Sequence, residues 1–78
     1  MNLKELIEYI VKNIVDEPDQ VVVHQVEGER SIILEVKVAP SDLGKVIGKQ
    51  GRIANALRTI LKAAAMREKK NVSLEILP

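Results

Sequence analysis

Four glycines stand in this 78-residue chain, and two of them, in Gly48-Lys49-Gln50-Gly51, constrain it more than any other feature. The apolar pair Val46-Ile47 precedes them and a helix-forming run from Arg52 follows. This G-x-x-G spacing describes a tight backbone turn between two helices. Glycine has no Cβ, so such a turn can take positive φ and let another backbone approach unusually closely. The amides at the start of the following helix then point at whatever arrives, and they favour an anion. With Lys49 inside the turn and Arg52 just past it, the anion this segment suits is a phosphate.

Size and charge narrow the partners. A chain of this length makes at most one small domain, read here as residues 1–78, and buries only about 60–65% of its unfolded surface. Its core is marginal unless an assembly extends it. The net charge of +1 hides an asymmetry. Residues 1–44 carry four basic and nine acidic side chains, whereas residues 45–70 carry eight basic ones against Glu68 alone. Positive charge is thus concentrated around the glycine turn, the electrostatic footprint of a polyanion partner. There is no cysteine, which excludes disulfides and thiolate metal sites and fits a reducing compartment. The N-terminal segment mixes Lys4, Glu5 and Glu8 with apolar residues, so it reads as an amphipathic helix rather than a signal peptide or membrane span. A cytoplasmic protein with no membrane contact is the expectation.

Hydrophobic periodicity supplies the elements. Leu3, Leu6, Ile7, Ile10, Val11 and Ile14 form one helical stripe, ended by Asp16-Glu17-Pro18-Asp19. Residues 20–27 read as a valine-rich strand, Glu27-Gly28-Glu29-Arg30 as a turn, and the following residues as a strand alternating Ile32, Leu34, Val36 and Val38 against Ile33, Glu35 and Lys37. Ser41 or Asp42 can cap a short helix reaching about Ile47. A longer helix is predicted from about Arg52 to Glu68, then a strand from about Asn71 to Leu77. The order α-β-β-α-α-β implies a crossover that leaves the second and third strands parallel and adjacent. The expected fold is α+β, a three-stranded mixed sheet with three helices on one face.

The apolar positions of the long helix span an arc of roughly 200°, about twice what packing on a sheet requires. The Ala56–Ile60–Ala63 flank is therefore either the seat of a second subunit, making a homodimer, or packed under the first helix. Tyr9 is the only aromatic residue and reads as a partly buried packing residue. Catalytic chemistry is missing. His24 is the sole histidine and reads as a packed or surface imidazole, so a transition-metal site lacks ligands. Gly44 to Gln50 has one spacer too few for a P-loop, and Gln50 replaces the magnesium-binding hydroxyl residue. Neither an enzyme nor a cofactor-binding protein is indicated.

The element order, the position of the turn and the run from Val46 to Leu57 together resemble a type II KH domain over nearly the whole chain. A GXXG loop clamps single-stranded nucleic acid in KH domains. With Leu43-Gly44-Lys45 running into the turn, a lone domain of this length is similar to the small bacterial KhpA family of RNA-binding proteins. That resemblance implies single-stranded RNA as partner, an RNA-chaperone or post-transcriptional role, and a larger multidomain KH partner of the KhpB type, also called Jag or EloR. It also implies links to cell elongation and cell-wall homeostasis. By the same resemblance Gly48 and Gly51 admit the sugar-phosphate backbone, Lys49 and Gln50 flank it, and Arg52 contacts phosphate. Lys45 and Ile47 complete the RNA-binding set, although Ile47, Ile53 and Leu57 read more as core than as base contacts. With one aromatic, base stacking is not available and binding should be modest and weakly selective. Two alternatives come from other classes: a protein–protein dimerisation module, and a ribosome-assembly factor of KH-like fold. Ribosome-binding factor A lacks the paired glycines that are intact here, and a BolA-like protein needs a metal-site histidine.

Overall fold

Ile7 and Val11 sit one helical turn apart and are fully buried, which fixes how the first helix lies on the sheet. A computed structural model describes residues 2–78. Helix α1 runs Leu3–Lys12, strand β1 Val22–Glu27, strand β2 Ser31–Lys37, helix α2 Leu43–Ile47, helix α3 Arg52–Met66 and strand β3 Asn71–Leu77. The expected order and fold class hold. Asn2 caps α1, its side chain accepting from the Glu5 amide at 2.8 Å. The helix stops earlier than its apolar stripe suggests. The Asn13 side chain donates to the Tyr9 carbonyl at 2.7 Å, competing with the backbone ladder before Pro18 is reached.

Strand β2 is central. It pairs antiparallel with β1, with Val23 opposite Val36, and parallel with β3, with Leu34 beside Leu74. Alternation sends Ile32, Leu34 and Val36 to the helix-covered face, where they meet Ile7, Val11, Val46, Leu57 and Leu61. The other face carries Val22, His24, Val26, Ile33 and Glu35 outward, with no element over it among the described residues. His24 is therefore an exposed strand residue opposite Glu35.

Two packing expectations change. Tyr9 is 63% exposed, because at about 100° per residue it falls on the opposite side of α1 from Ile7 and Val11. Asp42 does not cap α2 with its side chain. Its carboxylate is buried and accepts the amides of Asp16 and Glu17 at 3.1 and 3.0 Å, tying the middle of the α1–β1 connection to the start of α2. Helix α3 closes with Lys69 in the left-handed region at φ 56°. The Lys70 amide returns to the Ala65 carbonyl at 3.2 Å and the Lys69 amide to that of Met66 at 3.1 Å, a Schellman closure.

Candidate functional site

The turn between α2 and α3 takes its shape from its two glycines. Gly48 has φ 79° and ψ 171°, a region essentially closed to other residues. A Cβ there would lie 2.7 Å from Cγ1 of Ile53 and 2.9 Å from its backbone nitrogen, so the turn curls against the first turn of α3. Gln50 at φ 58° and Gly51 at φ 74° are left-handed. The Gly48 amide reaches the Gly44 carbonyl at 2.9 Å, the Gly51 amide that of Gly48 at 3.1 Å, and the Arg52 amide that of Lys49. Among the described residues, the amides of Lys49 and Gln50 have no backbone acceptor. Two adjacent N–H groups free in such a turn, beside the exposed Lys49 and Arg52 side chains, form a small concavity whose chemistry suits an anion.

A polar track leads away from the turn along α3. Asn55 is the side chain nearest Gly51, with its Nδ2 3.7 Å from where a Cβ would stand. Its Oδ1 accepts from Nη1 of Arg58 at 3.2 Å, and Nη2 of Arg58 reaches the Leu74 carbonyl on β3 at 3.5 Å. Here α3 and β3 enclose a groove of ≈ 240 Å³ lined by Arg58, Leu61, Lys62, Val72, Ser73 and Leu74. Strand β3 is an edge. The Asn71 amide donates to the Arg30 carbonyl and the Leu77 carbonyl accepts from Val38, so the odd-numbered residues of β3 pair with β2. The backbone groups of Val72, Leu74 and Ile76 consequently face outward.

The family model described as KhpA/KhpB, KH domain, matches residues 4–76. The chain belongs to that family. RNA-binding protein KhpA of Clostridium acetobutylicum is 63% identical over 75 residues, covering 96% of this chain and all of the relative. The protein of the same name from Aquifex aeolicus is 53% identical, covering 96% of this chain and 95% of the relative. A crystal structure of Aquifex aeolicus Era bound to GDP.AlF4- superimposes with a TM-score of 0.67 at 17% identity, covering 96% of this chain and 29% of the Era chain. That likeness concerns the fold alone. The KhpA/KhpB family is one of KH domains, not of enzymes.

Within this KH frame the residues expected from the sequence divide. Gly48, Lys49, Gln50, Gly51 and Arg52 are together at the turn, with Lys49, Gln50 and Arg52 exposed. Ile47 is half-buried against the helix pair, and Val46 and Leu57 are core. Lys45 faces another way. Its amine is hydrogen-bonded to the Asp16 carboxylate, which raises its pKa above the ordinary lysine value against an opposing cost of desolvation. Because the folded value is the higher one, this pairing contributes fully at neutral pH and is lost only as pH rises through it. Of the eight cations in residues 45–70, Lys45 and Lys70 are ion-paired, with Asp16 and Glu27. Lys49, Arg52, Arg58, Lys62, Arg67 and Lys69 have no carboxylate partner among the described residues.

Sequence reasoning missed the groove. Arg58 and Lys62 were visible only as part of the charge excess, because their apposition to the β3 edge depends on the tilt of α3. The Ala56–Ile60–Ala63 flank lies roughly 130° round the helix from Asn55, Arg58 and Lys62. All three of its residues are exposed, Ile60 by 46%, so this flank is not packed under α1. Among the described residues no helix is long and apolar enough to cross a membrane, and no cluster of His, Asp and Glu could hold a metal ion.

Proposed function

We propose that this chain binds single-stranded RNA, with the Gly48–Gly51 turn holding the phosphate backbone and the α3–β3 groove receiving the bases. The observation that carries this reading is the pair of unengaged amides at Lys49 and Gln50, in a turn where Gly48 leaves no room for a side chain. The backbone of a nucleotide strand can come within hydrogen-bond reach of those amides, while Lys49 and Arg52 supply charge. Polar groups then continue through Asn55 and Arg58 to the outward edge of β3, a path that an extended strand can follow. Names of relatives at 53–63% identity agree, since they are called RNA-binding proteins. Lys45 contributes when it exchanges Asp16 for phosphate, and Ile47 supports the turn from beneath.

On the same reading the working partner is a larger KhpB-type KH protein, which the family description that spans both names supports. The cellular role is that of an RNA chaperone or post-transcriptional regulator, acting in the cytoplasm and linked to cell-wall and cell-shape homeostasis; family membership is its support. The whole chain acts as one KH domain with Gly48–Gly51 as its loop.

The decisive test replaces Lys49 and Gln50 together with aspartate, keeping both glycines. Affinity for single-stranded RNA should fall at least tenfold, about 1.4 kcal/mol, with an unchanged circular dichroism spectrum. Wild-type affinity in the double variant would remove the turn as the site. Co-purification of the wild type with a KhpB-type protein from its own cells, lost on heating but not on RNase treatment, would separate a protein contact from an RNA tether.

A further inference from the structure

The groove beside β3 has an unusual chemistry for a surface that meets bases. Leu61, Val72 and Leu74 give it an apolar floor, and its ionisable lining residues are Arg58 and Lys62, with no carboxylate among them. Every charged group available there is a hydrogen-bond donor. Arg58 is also oriented. Its Nη1 is held by Asn55 Oδ1 at 3.2 Å, whereas the bond from Nη2 to the Leu74 carbonyl is long, 3.5 Å, and is easily exchanged. A guanidinium has five N–H donors in a rigid planar fork, so holding one nitrogen aims the rest. Asn55 in turn borders Gly51, which places the fork one step along α3 from the proposed phosphate clamp.

We propose that Arg58 is the base-selecting residue of this groove, favouring a base edge with two adjacent acceptors over one that mixes donor and acceptor. The inference rests on the reading that RNA enters at the Gly48–Gly51 turn. Guanine offers O6 and N7 to an arginine fork, and cytosine offers O2 and N3. Adenine sets its N6 amino donor beside an acceptor on either side, and uracil interposes N3–H between its two carbonyls, so neither matches a donor-only fork. Selection therefore departs from the weak selectivity that the shortage of aromatics suggests: stacking is absent, yet one oriented guanidinium reads an edge. A second possibility, that Arg58 simply neutralises a phosphate, uses the same charge but makes no distinction among bases.

Fluorescence anisotropy on short oligouridine strands carrying one central cytidine, guanosine or adenosine distinguishes them. The wild type should bind the cytidine or guanosine strand about tenfold more tightly than the adenosine or all-uridine strand. Comparing the first two strands shows which acceptor pair is read. Arg58→Lys keeps the charge without the fork, so it should abolish the preference, bringing the four strands to one common affinity. Arg58 is exposed, and its replacement should leave circular dichroism unaltered. Equal wild-type affinity for all four strands, or a preference that survives in Arg58→Lys, would overturn the proposal while leaving RNA binding at the turn intact. A uniform loss in Arg58→Ala, with the log–log salt slope shallower by about 0.7, would reassign Arg58 to a phosphate. Absence of binding to every strand would remove the RNA reading and this inference together.

Discussion

Gly48 and Gly51 stand three positions apart in one turn, yet they are glycines for different reasons. At Gly48 both the backbone angles and the space forbid a side chain, since a Cβ would meet the Ile53 nitrogen at 2.9 Å as well as its side chain. At Gly51 only the angle matters: φ is 74°, and the nearest atom to a Cβ, Asn55 Nδ2, is at an ordinary 3.7 Å. Urea denaturation should therefore rank the two. Gly51→Ala should lose about 1–2 kcal/mol, the left-handed cost for a residue with a Cβ. Gly48→Ala should lose more, on the order of 3 kcal/mol, because strain and overlap act together. Equal losses would show that the turn can relax away from Ile53. The sequence carried the spacing and the need for positive φ, but the contact with Ile53 depends on how α3 leaves the turn. Lys45 marks a similar limit. Its position beside the turn is legible, whereas its pairing with Asp16 is created by the Asp42 carboxylate drawing residues 16 and 17 toward α2.

Elements were legible wherever burial follows a single period. Strand β2 alternates buried Ile32, Leu34 and Val36 with outward-facing Ile33 and Glu35, and α1 buries Ile7 and Val11 from its apolar stripe. Element ends were less so, because they are decided by side chains that bond back to the main chain, as Asn13 does at the end of α1, or by a left-handed lysine, as at Lys69. Tyr9 failed to bury, and the Ala56–Ile60–Ala63 flank took the open one of its two expected placements, for a common reason: an apolar residue has no fixed address until the neighbouring element's position is known. One tie between elements has a measurable pH signature. Lys70, just before β3, hydrogen-bonds Glu27 at the end of β1 and holds that carboxyl below the ordinary glutamate value. A depressed folded pKa contributes stability above the unfolded pKa, and that contribution is lost as pH falls through the folded one. Lys70→Gln should thus be less stable than the wild type at neutral pH, with the difference shrinking as pH drops from about 4.5 downward. A difference independent of pH across that range would mean that Lys70 acts through its aliphatic stem instead.

At the scale of the whole molecule, α3 divides its surface between two uses. Arg58 and Lys62 border the groove, and Ala56, Ile60 and Ala63 lie on the other flank, so self-association there would leave the groove open. Ile60→Asp should fold normally, because Ile60 is 46% exposed, and should be monomeric in sedimentation if that flank meets a second copy. A wild type already monomeric at high micromolar concentration would leave the flank without that role. The distribution of charge poses the sharper question. With six cations of residues 45–70 free of carboxylate partners among the described residues, the protein could hold RNA as a diffuse basic surface or through one narrow clamp. The two differ in how many phosphates they neutralise. A GXXG groove grips about four nucleotides, so about two or three phosphates are contacted, and at roughly −0.7 per contact the log–log salt slope should be about −1.5 to −2. A surface using all the free cations would give a slope steeper by about two units or more. Strand form separates them as well. The α3–β3 groove admits a splayed base, whereas an A-form duplex keeps its bases stacked inward and presents only phosphate and sugar. Single strands should therefore bind more tightly than duplex at equal salt. A steep slope together with equal or tighter duplex binding would exclude the clamp and leave only the charge of α3 and the turn to hold RNA.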